Sequence, residues 1–117
     1  MELREFFVRV GGDYEKVILR LPTADMVKRF VLKFAKDPSY ADLKNALETA
    51  DLETAFRAAH TLKGTAANLG LDALGAAASA LTEQLRNATE LPAAEYVAAV
   101  DEAYAVVIRS ISELEEG

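Results

Sequence analysis

Apolar residues along this chain recur at intervals of three and four, and runs alternating with period two are nearly absent. The pattern is punctuated at Gly11-Gly12, Pro22, Pro38, Gly70 and Pro92. A short amphipathic helix is predicted from Glu2 to Val10, stopping at the glycine pair, where left-handed dihedrals cost little. Asp13 caps a second short helix that ends before Pro22, and Thr23 caps a third with the stripe Met26, Val27, Phe30, Val31 and Phe34. Pro38 closes that helix. Ser39, with Asp42 three residues on, resembles a capping box opening a helix that buries Leu43, Ala46 and Leu47. Asp51 then caps a long helix whose stripe reads Leu52, Ala55, Phe56, Ala59, Leu62, Ala66 and Leu69, ended by Gly70. Leu71-Asp72 restart the chain with Leu74, Ala77, Ala78, Leu81 and Leu85. A loop over Asn87 to Leu91 leads to Pro92 at a first helical position. The last helix carries Tyr96, Val97, Val100, Tyr104, Val107, Ile108, Ile111 and Leu114.

Four helices of three or more turns with short connections predict an all-α fold: an antiparallel up-down four-helix bundle with short N-terminal helices. The 22 alanines and the many Leu, Glu, Lys and Arg residues agree, being strong helix formers. At 117 residues, with no repeat and no low-complexity stretch, residues 1–117 read as a single domain.

Composition then excludes several function classes. There is no cysteine, so disulfides, thiolate metal sites and cysteine nucleophiles are absent. A net charge of −6 without a cluster of Lys and Arg argues against nucleic-acid binding and suits protein partners. No apolar stretch approaches the ~18–20 residues that span a bilayer. Met1 to Val10 mixes charge and hydrophobe unlike a signal peptide, so a cytoplasmic protein without membrane contact is expected.

The one histidine carries the candidate chemistry. On a helical wheel His60 falls roughly 120° from the centre of its apolar stripe, facing solvent beside the core. Phe56 and Gly64 lie one turn away, Lys63 on the adjoining row and Ala67 two turns on. Glycine inside a helix costs about 0.5–1 kcal/mol relative to alanine. In a chain this rich in alanine, Gly64 therefore suggests either a surface approaching the imidazole or a closely packed neighbouring helix. An exposed imidazole, ordinarily titrating near pH ~6.5, is largely neutral and nucleophilic at cellular pH. It can attack phosphorus through one nitrogen, with Lys63 supplying charge where phosphoryl oxygens gather.

The stretch Ala58-Ala59-His60-Thr61-Leu62-Lys63-Gly64-Thr65-Ala66-Ala67-Asn68-Leu69-Gly70-Leu71 resembles the signature of histidine phosphotransfer (HPt) domains of two-component phosphorelays. The resemblance extends through Leu74 and Leu81 to Arg86, and upstream to the Ala-Asp-Leu stretch at 50–52. It implies that His60 is phosphorylated at its distal nitrogen, that Lys63 stabilises the phosphoryl group, and that Gly64 gives access to a partner. The implied partners are response-regulator receiver domains and a sensor histidine kinase, with Mg²⁺ held by the receiver and no cofactor in this chain. The family tends to carry Glu or Gln near the histidine on the following helix; Thr82 stands at that place, beside Glu83 and Gln84. Thr82 and Arg86 are accordingly the expected supports of the imidazole, and Ala67 part of the docking face. No glycine-rich nucleotide motif accompanies them, so a phosphoryl carrier is expected, not a kinase, and a monomer by default.

Two rivals remain at this stage. A hydrolase would need a serine outside any Gly-x-Ser-x-Gly pattern, and a metal site at His60 would need ligands such as Glu53. A helical docking module using the His60-Gly64-Ala67 face without chemistry is the stronger alternative.

Overall fold

The computed structural model describes residues 1–116, in which seven helices occur and no strand is found. Three short helices come first: α1 (Leu3–Arg9), α2 (Tyr14–Arg20) and α3 (Ala24–Phe34). Four more follow: α4 (Ser39–Glu48), α5 (Leu52–Asn68), α6 (Asp72–Leu85) and α7 (Ala94–Glu116). The local signals act as capping chemistry predicts. Asp13, Thr23 and Asp51 each accept a hydrogen bond from the backbone N–H three residues on, at 3.2 Å in all three cases.

Two boundaries differ from the sequence reading. Ser39 is buried as the first residue of α4, and the side chain that serves the helix start is Asp37, which accepts from the Ser39 N–H at 2.9 Å. A carboxylate one residue before the proline reaches that N–H, leaving the Ser39 side chain to the core. Pro92 lies two residues before α7 instead of at its first position. The expected apolar stripes also narrow: Phe30 is 40% exposed, while Val27, Val31 and Phe34 alone carry the buried face of α3.

The helices α4, α5, α6 and α7 pack in chain order, each against the next, and the short connections make neighbours antiparallel. The ring closes between α7 and α4 through polar and aromatic contacts. Tyr40 donates to Asp101 at 2.6 Å, Lys44 pairs with the same carboxylate at 2.9 Å, and the Tyr40 and Tyr104 rings stack 3.8 Å apart. Around this bundle, α1 lies against α7 with Phe6 and Phe7 fully buried, and one continuous core includes residues of all seven helices.

The N-terminal element is locked to the end of α5. Gly70 takes φ +69°, and a Cβ there would run into the Val17 side chain. Both constraints require glycine. Arg20 reaches the same end, donating from Nη1 to the Ala67 carbonyl at 3.0 Å. Such a cation on a helix's last carbonyls is favourable. The bundle therefore presents α5 as a helix fixed at both ends, by Asp51 at the start and by α2 at the finish.

Candidate functional site

Alanines make this site possible. Ala55, Ala58, Ala59 and Ala66, with Leu62, bury the inner face of α5 and let α4 and α6 approach closely. The outer face then stands free as a strip: His60, Gly64 and Ala67 are all exposed, with Lys63 half-buried at its edge toward α6. A Cβ built on Gly64 would meet nothing within 4 Å. Close helix packing is thereby removed as the reason for that glycine, and the space above it is open.

The far edge of the strip is aromatic and charged. The Phe56 ring lies parallel to the His60 imidazole, with centroids 6.2 Å apart and planes inclined by 11°. The Arg86 guanidinium also sits over the Phe56 ring, 5.1 Å from its centroid. Arg86 is itself held by a fork to Glu83, Nε to Oε2 at 3.2 Å and Nη2 to Oε1 at 3.1 Å. That hydrogen bond and the Arg86 charge hold the Glu83 carboxyl below its ordinary range, and the Lys63 charge adds to the effect. Lys63 on α5 and Arg86 at the end of α6 thus both act on one carboxylate.

Thr82 does not belong to the site. It is fully buried, and its hydroxyl donates to the Ala78 carbonyl one turn back at 2.7 Å. The expectation that it supports the imidazole or meets a partner is overturned, because its only hydroxyl proton is spent inside α6 and no partner can reach it. Helix rotation is the cause: Thr82 points with Ala78, Leu81 and Leu85 into the core, so Glu83 and Arg86 face outward instead. Arg86, expected beside the imidazole, lies over the Phe56 ring instead. The sequence reading counted Phe56 among core residues; the available signal was its position four residues before His60, which stacks side chains on one face.

Glu53, the residue a metal site would have recruited, pairs with Arg57 at 3.1 Å. Among the described residues no group of three or more His, Asp or Glu side chains is placed to hold a metal ion. No described helix is long and apolar enough to cross a membrane.

The family model for the Hpt domain matches residues 37–115, which run from just before α4 almost to the end of α7. The chain belongs to the Hpt domain family. Comparisons with curated proteins and with solved structures return no match. Membership brings with it histidine phosphotransfer in two-component phosphorelays. Within this Hpt domain His60 is the one histidine in the sequence. The N-terminal helices α1, α2 and α3 all lie outside the matched region, yet Arg20 touches Ala67 at the end of the exposed strip.

Proposed function

We propose that this Hpt domain is a phosphoryl carrier in which His60 accepts a phosphoryl group from a phospho-aspartate on a receiver domain, or from a sensor kinase, and passes it to another receiver. The observation that carries this reading is the open strip of α5, where an exposed imidazole stands one turn from a glycine whose flank is empty to 4 Å. A protein bringing an acyl phosphate to that strip meets no side chain above Gly64.

The chemistry follows from the groups present. The unprotonated ring nitrogen attacks phosphorus, forming the N–P bond as the P–O bond of the aspartyl phosphate breaks. The carboxylate leaves with the electron pair, and the other ring nitrogen keeps its proton. Lys63, on the next row of the helix, offers positive charge to the phosphoryl oxygens. Mg²⁺ in this scheme belongs to the receiver's aspartate site. Residues 1–117 act together as one domain, since the N-terminal helices share the bundle's core. A monomer acting in the cytoplasm against protein partners suits the acidic, cysteine-free chain.

The test is phosphorylation of the purified protein by a labelled phospho-receiver, or by a sensor kinase with ATP and a receiver. Acid-labile, base-stable label is expected on the wild type and none on His60→Gln. Equal label on both proteins, or a His60→Gln variant that keeps full signalling in a relay, would overturn the carrier reading in favour of a docking module.

A further inference from the structure

Nothing polar orients the His60 ring: no hydrogen bond to it exists among the described residues, and the position on α6 that might have offered one is the buried Thr82. We propose that Phe56 is the positioning residue of the phosphotransfer site, its ring, backed by Arg86, setting the plane of the His60 imidazole. The proposal rests on the phosphotransfer reading and adds to it the device that aims the nucleophile.

Helical side chains lean toward the preceding turn, so an imidazole at 60 is directed onto the residue at 56. The 6.2 Å separation and 11° inclination fall in the range of offset-stacked aromatic pairs. Phe56 is half-buried and packs against the core, which makes it the less mobile of the two rings. The Arg86 guanidinium lies over the same ring at 5.1 Å, a cation held over an aromatic face. Glu83 pairs with Arg86 through two hydrogen bonds from the same helix turn, which favours that placement of the guanidinium. The order of support thus runs Glu83, Arg86, Phe56, His60, from α6 across to α5.

The consequence is directional. The lone pair of an imidazole nitrogen lies in the plane of the ring, so fixing the plane fixes the line along which phosphorus must approach. A hydrogen-bonding partner would fix that plane by occupying one ring nitrogen. A stacked partner touches only the face, and both nitrogens stay at the free edge. Orientation of the attacking atom is the part of the barrier that such positioning lowers.

The experiment uses phosphoramidate as a small donor, so that partner docking plays no part, and follows label on the wild type, Phe56→Leu, Phe56→Tyr, Arg86→Ala and Phe56→Leu/Arg86→Ala. Phe56→Leu is expected to lower the first-order labelling rate about five- to tenfold with little change in the half-saturating donor concentration. Phe56→Tyr, which keeps the ring, should remain within about twofold of wild type. Arg86→Ala should cost less than Phe56→Leu and cost nothing further in the Phe56→Leu background. Proton NMR supplies a readout independent of activity: the ring-current shift of the His60 imidazole protons should be lost in Phe56→Leu and kept in Phe56→Tyr. Wild-type labelling by Phe56→Leu overturns the proposal. So does an Arg86→Ala loss of equal size in both backgrounds, which would mean that Arg86 acts on the phosphoryl group itself. No label on the wild type, with the ring-current shift present, would mark failure of the phosphotransfer reading rather than of the stacking.

Discussion

At the scale of single residues, Gly64 sets stability against access. Its backbone is helical and its flank is empty, so alanine would fit without moving anything. Gly64→Ala is expected to stabilise the fold by about 0.5–1 kcal/mol, seen as a higher thermal midpoint. The same variant should slow transfer from a phospho-receiver while leaving phosphoramidate labelling nearly unchanged, because only a protein-sized donor needs the space. Slowed labelling by both donors would show that the methyl group disturbs His60 directly. The outward placement of His60 and Gly64, with Lys63 at their edge, was legible in the sequence because spacing along one helix decides which residues share its outer face. Thr82 was legible too, and was misplaced: four residues after Ala78 and three before Leu85, it shares the buried face of α6, and the resemblance put it at the site against that spacing.

At the scale of elements, the closure of the bundle depends on a small polar cluster between α4 and α7. Burial, and then the hydrogen bond to Asp101, push the Tyr40 phenol well above its ordinary range. The folded protein therefore keeps this proton at a pH where the unfolded chain, with ordinary tyrosine near ~10, has lost it. The stability from this group is present below pH ~10 and is lost as the pH rises toward the folded value. Tyr40→Phe should cost about 1 kcal/mol at neutral pH and flatten the alkaline limb of the stability profile, measured by denaturant unfolding from pH 8 to about 11. An unchanged alkaline limb would place that titration elsewhere. Helix existence and most caps could be read from local chemistry, as at Asp13, Thr23 and Asp51. The start of α4 could not: Asp37 and Ser39 are both capable caps, and burial of Ser39 against the core settled which one served.

At the scale of the whole molecule, the three N-terminal helices lie outside the family-matched region but not outside the core. Phe7 is almost fully buried, packs edge-on to Phe6 with centroids 5.2 Å apart, and lies against Tyr14 of α2. Phe7→Ala should cost about 3–5 kcal/mol in global stability, as a single cooperative transition, because the cavity opens in the shared core. A separate early transition for the N-terminal helices would show instead that they are a detachable layer. Leu19 on α2 and Phe30 on α3 are exposed, although Phe30 was read as part of the apolar stripe of α3. The sequence by itself determined the helical class, the number of helices and the outward-facing histidine, since all three follow from residue spacing along one helix at a time. It determined the family for the same reason, the His60–Lys63–Gly64 signature being contiguous. The tertiary structure decided how the helices meet: that Arg20 closes the end of α5, and that Arg86 covers Phe56. Those contacts join residues on different helices, and their geometry is set by how the core packs, which no local pattern encodes.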